Sequence, residues 1–547
     1  MMKKNIIKYL IICFTALIGA CETTNLDLLD DPNNATADSG DTDLLLNGAL
    51  VNFKNFMEVV HESPMQVVRM THFYGPTYDN GVSPSNFDTE WSYAYASILA
   101  DTRAVITGAT DLELYDHAGV AKIIEAYTIM TLVDMFGDVP YSEAISYADN
   151  LNPALDDDAD VYEAALALLN DALSDFEKTS VSTIDSDNDI YYGADISSWT
   201  TLAKTLKLRY YNNTRLVNSS SASEIEALIA EGDLIFSSEL DFQVEYGTSD
   251  NDPDTRHYKF TDSYDGGGEY IASYFLDLLY YGKSDPDPRI RYYFYRQTLE
   301  YPDASTDDGL FTLPCLAQSR PLHYSTSDPF CVIGDGYWGR DHMNDEGGVP
   351  DGDQITIWGL YPAGGRYDNN DGEAASISDG AKGAGINPIW NVAATYFVLA
   401  EASLELGTTG DPATYLEAAI RASFTKVLNF NTSSIPSDAD TPTDAEIDAY
   451  VTEVIDEFSA GSDEEKLNII MTEAMISHWG NGLEVYNGYR RTGYPDNLQP
   501  AITAEPGSFI RSFPYASNAV NRNQNISAKS SYAVQVFWDT NPAEFID

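Results

Sequence analysis

The strongest constraint on how this chain can fold is the return of apolar residues every three to four positions in several long stretches. From Val161 to Glu177, Tyr162, Ala165, Leu166, Leu169, Ala172, Leu173 and Phe176 share one face of a 3.6-residue helix. Asp160-Val161-Tyr162-Glu163 supplies a cap-like start, an Asp followed three residues later by Glu. Val120 to Phe136 repeats the pattern through Ile123, Ile124, Tyr127, Met130 and Val133 and stops at Gly137-Asp138-Val139-Pro140, so the two stretches predict an antiparallel helical pair. A third helix is expected over Ser198–Val217, with Trp199, Leu202, Ala203, Leu206 and Tyr210 on one face. Pro388–Leu406 is apolar nearly all round and is expected to lie deep. Pro412–Leu428 and a long helix from Ser462 follow, the latter opened by a capping-box pattern in Ser462-Asp463-Glu464-Glu465. Long helices arriving in pairs predict a mostly α fold with tetratricopeptide-like packing, although the strict repeat signature is absent.

Between these helical halves, from about residue 239 to 384, the chain turns rich in Gly, Pro, Asp and Tyr, as in Gly266-Gly267-Gly268 and Gly347-Gly348-Val349-Pro350. That length exceeds a connection, and long loops on a rigid scaffold are where binding surfaces are usually found. No linker interrupts the rest, so residues 44–547 read as one unit with the loop-rich stretch as its binding region.

Lys3, Lys4 and Lys8 precede an apolar run from Tyr9 to Ile18 that ends at Gly19-Ala20-Cys21. The run is about half the ~20 residues a membrane-spanning helix needs, so residues 1–20 read as a signal peptide. Ile18-Gly19-Ala20-Cys21 resembles a bacterial lipobox and implies a lipid on Cys21, whose buried methylenes each contribute about 0.8 kcal/mol of membrane attachment. Residues 21–43 then read as a polar tether between lipid and domain. Export leaves Cys315 and Cys331 in a compartment where a disulfide can persist; they either form one bridge or remain two buried thiols.

A net charge of -56 excludes nucleic acid, which needs clustered Lys and Arg to displace counterions. Catalytic templates are empty: there is no HExxH motif, and Gly247-Thr248-Ser249 and Gly282-Lys283-Ser284 lack the closing glycine of a nucleophile elbow. With 86 acidic residues, chance carboxylate pairs keep a glycoside hydrolase open as an alternative. No cofactor is required. Asp185, Asp187 and Asp189 place oxygen ligands at alternate positions and permit a structural Ca²⁺, but Ile190 and Ile196 stand where an EF-hand loop needs glycine and glutamate, and a solvated acidic turn is the preferred reading.

Several segments, in order, share the pattern of one known family. Asn25-Leu26-Asp27-Leu28-Leu29-Asp30-Asp31-Pro32-Asn33 resembles the segment that follows the lipid-bearing cysteine. Phe136-Gly137-Asp138-Val139-Pro140-Tyr141-Ser142-Glu143-Ala144 looks like the element after a family helix. Tyr192-Gly193-Ala194-Asp195 with Trp199 and Thr205-Leu206-Lys207-Leu208-Arg209 is similar to the family's Trp-to-LKLR helix. Gly359-Leu360-Tyr361-Pro362-Ala363-Gly364-Gly365 and Tyr489-Arg490-Arg491-Thr492-Gly493-Tyr494-Pro495 resemble two further signatures. Together these segments resemble the SusD-like family (the SusD/RagB superfamily), especially its second large subfamily, and the resemblance implies four tetratricopeptide-like hairpins and a lipoprotein exposed on the outer membrane of a Bacteroidetes-type bacterium. It also implies capture of an oligo- or polysaccharide for a SusC-like TonB-dependent transporter, with a peptide or other nutrient as the alternative cargo.

A sugar ring has an apolar C–H face and a hydroxyl rim, so its site needs aromatic platforms beside planar polar groups. In the aromatic-rich loops the candidates are Trp338, Tyr337, Trp358, Tyr361, Trp91, Tyr93 and Tyr74, with Arg340, Asp341, Asn344 and Asp345 as polar helpers. Trp338, in Asp335-Gly336-Tyr337-Trp338-Gly339, is the leading one. Arg490-Arg491 reads as a structural ion-pair element and not as a ligand clamp.

Overall fold

The computed structural model describes residues 41–146, 149–261, 269–299, 319–345, 355–358, 361–362, 364–365, 368, 370, 372–377, 380–434 and 441–543. The signal peptide, Cys21, most of the tether and Cys315 lie outside these residues. So do Gly266-Gly267-Gly268, Gly347-Gly348-Val349-Pro350 and Gly359-Leu360.

The helices are α1 Thr42–Val60, α2 Leu99–Asp111, α3 Tyr115–Phe136, α4 Asp158–Phe176, α5 Ile196–Asn213 and α6 Ser221–Glu231, then α7 Ser273–Tyr281 in the loop-rich region. They continue with α8 Val392–Leu406, α9 Pro412–Asn429, α10 Asp444–Ala460, α11 Asp463–Ser477 and α12 Gly482–Thr492. The fold is mostly α, as expected, and among the described residues α3 packs on α4, α5 on α6, α8 on α9 and α10 on α11 as four helical hairpins, with α2 packed on α3 as well. Caps set the starts: Asp157 and not Asp160 opens α4, and Ser462 with Glu465 forms the expected capping box of α11. Thr443 with Glu446 forms a second box on α10, a helix the apolar pattern had not marked. The helix expected from Pro388 begins later. Ile386–Trp390 is a strand instead, β6, paired antiparallel with β1 Phe242–Glu245, and Asn391 caps α8 behind it. Proline, lacking an N–H, suits such a two-stranded ribbon, and the helix starts only after it.

The motif residues are internal fasteners. Arg209 of α5 bonds Asp134 of α3 at 2.7 Å and Glu484 of α12 at 2.7 Å. Arg491 grips both oxygens of Glu401 on α8, at 2.6 and 2.7 Å, and Arg215 reaches the same carboxylate at 2.7 Å. Arg490 lies 3.8 Å over the Tyr486 ring and donates to the carbonyls of Asp134 and Arg511. Both arginines are thus structural, as the sequence reading held. Gly365 sits where a Cβ would come within 2.1 Å of the Arg291 and Phe294 carbonyls, so only glycine allows that packing.

The loop-rich region folds on two more ribbons, β2 Phe294–Arg296 with β5 Thr356–Trp358 and β3 Val332–Gly334 with β4 Tyr337–Trp338. Beneath them is a satellite core of Phe260, Tyr270, Tyr295, Cys331, Trp338, Ile355 and Ile357. Among the described residues no helix is long and apolar enough to cross a membrane.

Candidate functional site

Three segments distant in sequence lie side by side on the loop-rich face. The His72 amide donates to the Tyr270 carbonyl at 2.9 Å and the Ala272 amide to Met70 at 3.2 Å. The Arg340 amide donates to Ile271 at 2.8 Å, and the Arg340 carbonyl accepts from Ser273 at 2.8 Å. Gly339 permits the approach, because a Cβ there would meet the Ile271 carbonyl at 2.4 Å.

This backbone junction assembles a platform. The Arg340 guanidinium lies 4.7 Å from the Tyr270 ring centre and 5.9 Å from that of Tyr74. The His72 ring meets Tyr74 edge-on at 4.3 Å. Tyr74 is 42% exposed, Arg340 is half-buried and Tyr270 is buried, so one ring faces outward on a charged, aromatic base. Burial first, and then the Arg340 charge, lowers His72 to about 3, which keeps it neutral beside the guanidinium at neutral pH. Next to Tyr270, Glu269 accepts from Gln66 at 2.6 Å, and burial pushes its carboxyl up to about 7. A planar cation beside an outward ring can stack one face of an amphipathic ligand and donate to its hydroxyl rim.

Of the sequence-derived candidates, the structure brings Tyr74 and Arg340 together on this face. Trp338, the leading candidate, is 2% exposed and packs in the satellite core that carries Tyr270. Tyr337 is buried with the Arg296 guanidinium 5.1 Å over its ring, and Tyr361 is buried beside Tyr293. Trp91 packs against Tyr95 and Phe136 in the main core, with Tyr93 partly buried against it. Trp358 contributes β5 backbone paired to Phe294. The rings of Trp338, Tyr337, Tyr361 and Trp91 are therefore buried, Trp91 on a short helix over Asp88–Ser92 and not in a loop, because each ring is worth more against apolar neighbours than against water. Asp341 accepts from the Cys331 amide and from Gln499, and Asn344 is buried, so both act as internal supports, while Asp345 is exposed. Tyr270 and His72 were missed, and only the tertiary junction reveals them.

The acidic turn is also internal wiring. Asp189 is buried and accepts from the amides of Tyr191, Tyr192 and Ala194 and from the Trp199 indole at 2.8 Å. Its oxygens are filled by N–H donors while Asp185 and Asp187 are exposed, and among the described residues no group of three His, Cys, Asp or Glu is placed to hold a metal. Cys331 is disulfide-bonded.

Four helical hairpins carrying a loop-built face define a class of helical scaffold, and comparison with known proteins gives it a family. Residues 33–309 match the SusD-like_2 family, described as "Starch-binding associating with outer membrane". Residues 359–538 match the SusD-like family, described as "Susd and RagB outer membrane lipoprotein". The chain belongs to the SusD/RagB family. A SusD-like structure named for Bacteroidetes AC2a superposes with a TM-score of 0.68 at 18% identity, covering 92% of this chain and 100% of that one. A SusD/RagB family protein from Bacteroides thetaiotaomicron gives 0.66 at 17%, covering 92% and 100%. A chitin-binding SusD homologue from Flavobacterium johnsoniae gives 0.63 at 18%, covering 91% and 99%. No protein of curated function matches the sequence.

Proposed function

We propose that this chain is a non-catalytic glycan receptor, anchored at the cell surface through a lipid on Cys21, that captures oligo- or polysaccharide and delivers it to a SusC-like TonB-dependent transporter. The observation that carries the reading is the outward Tyr74 ring braced by Arg340 and His72 on the loop-rich face. Stacking one sugar buries ~40 Å² of ring face and contributes about 1 kcal/mol, so capture depends on repeated contacts along a chain. The family's description as starch-binding, and a structural neighbour titled as chitin-binding, favour sugar over peptide as cargo.

The test is migration in native gels cast with a panel of polysaccharides, with reducing ends assayed in parallel. Wild type is expected to be retarded by at least one glycan without releasing new ends. Tyr74→Ala should weaken that retardation about fivefold, the equivalent of ~1 kcal/mol. Steady release of reducing ends would overturn the non-catalytic reading. Delivery is checked by extracting the lipidated chain from outer membranes in detergent; recovery without a large TonB-dependent barrel would overturn that part.

A further inference from the structure

A cleft of about 1100 Å³ opens between the β1–β6 ribbon and the α8–α9 hairpin, and none of its described lining residues belongs to the Tyr74 platform. Its floor is built. Asp241 accepts from the Val392 amide at 2.9 Å and pairs with Lys426 at 2.7 Å, and Lys426 also donates to Gln243, which ties ribbon to hairpin. Its rim carries Phe236, 38% exposed with its ring 5.3 Å from Tyr396, and the half-buried Phe430. Asn429 and Asn431 add planar amides to the lining.

Two features of the lining select a ligand class. In a chain of net charge -56, the charged residues among the described lining balance, Asp241 and Glu245 against Lys382 and Lys426. A charged ligand gains nothing from such a lining, whereas rings and amides match the two surfaces of a neutral sugar. Ala381 and Lys382 at the mouth hold φ of 52° and 55°, and Asn431 holds 44°. Left-handed backbone costs a non-glycine residue roughly 1 kcal/mol, and such strain gathers where a structure fixes a ligand-facing segment.

We infer that this cleft is a second binding site, for a short neutral oligosaccharide, so that one receptor holds a glycan at two separate places. The inference rests on the glycan-receptor reading of the chain. It is tested by calorimetric titration of chitohexaose and maltohexaose into wild type, Tyr74→Ala, Phe236→Ala and Asn429→Ala, with hydrogen exchange measured on the same complexes.

Wild type is expected to bind two equivalents, and Tyr74→Ala to bind one with unchanged affinity and the other about fivefold more weakly. Combining Phe236→Ala or Asn429→Ala with Tyr74→Ala should weaken the otherwise unchanged site about fivefold or more, the effect of losing ~1 kcal/mol of ring or amide contact. Sugar should protect amides in residues 236–246 and 425–431 in the Tyr74→Ala protein. A single equivalent weakened in Tyr74→Ala, with Phe236→Ala silent, overturns the cleft and leaves the platform standing. A single equivalent unchanged in Tyr74→Ala but weakened in Phe236→Ala overturns the platform and leaves the cleft. No binding of either sugar by wild type at millimolar concentration overturns both.

Discussion

Replacing Glu401 by glutamine tests whether the guanidinium cluster behind the family motifs is held together by charge. Glu401 is 1% exposed, takes two bonds from Arg491, pairs with Arg215 at 2.7 Å and accepts from Asn212 at 3.0 Å. Glu401→Gln preserves the shape but removes the carboxylate that two buried guanidiniums share, leaving Arg215 only its 3.7 Å contact with Glu405, and breaking a buried pair in this way costs about 3–5 kcal/mol. A separate route gives a similar figure. Burial raises the Glu401 carboxyl, but the charges of Arg491 and Arg215 more than offset this and hold it at about 2. Against an ordinary value of 4.5, that displacement corresponds to about 3 kcal/mol of stability. Because the folded value lies below the unfolded one, this stability is complete above pH 4.5 and is lost as the pH falls through about 2. Urea unfolding followed by tryptophan fluorescence should therefore find the variant about 3 kcal/mol less stable at pH 7, with the gap narrowing below pH 4.5. A difference under about 0.5 kcal/mol at pH 7, the range of an ordinary surface change, would refute the charge-held cluster.

Trp338→Ala removes a ring from the satellite core and should cost about 3–5 kcal/mol, with glycan binding lost together with the amide protection of residues 270–273. Loss of binding with stability and protection unchanged would make Trp338 a ligand contact after all. Burial pushes Glu90 up to about 8, so its contribution is complete below the ordinary 4.5 and is lost as the pH rises through 8. Glu90→Gln should exceed wild type by up to about 5 kcal/mol at pH 9 and converge with it near pH 4.5; a gap independent of pH refutes this. Non-reducing peptide mapping is expected to link Cys331 to Cys315, and reduction of that loop to cost about 3 kcal/mol; a link to another cysteine removes the pairing.

Much of the helical body was legible, because amphipathic period and caps are local. The buried faces of α4 and α9 lie where the apolar residues recur, α3 and α5 are helices in the expected places but buried on nearly every side, and Ser462 opens α11 through its own side chain. β6 was misread because an apolar run fits a buried strand as well as a buried helix, and its partner β1 lies more than a hundred residues upstream. Asp335-Gly336, with φ of 50° and 82°, is a hairpin signal that could have located β3 and β4 beforehand.

The ring-bearing loops were legible as a region and not as a site, for a geometric reason. Alternation along a half-buried strand would expose one of Tyr337 and Trp338, yet both are buried: Arg296 covers the Tyr337 ring, and the satellite core takes the indole. A ribbon enclosed on both faces gives up the periodicity that tells inside from outside. Tyr74 is exposed because of a junction among residues 70–72, 270–273 and 339–340, which no local pattern encodes. None of Tyr74, His72, Tyr270 or Arg340 falls in a family motif, whereas Arg209, Arg490, Arg491 and Gly365 do, and each of those secures the scaffold. The motifs therefore specify a rigid body that many ligand faces can share, and on the reading proposed above the choice of glycan rests on side chains whose neighbours only the folded chain brings together.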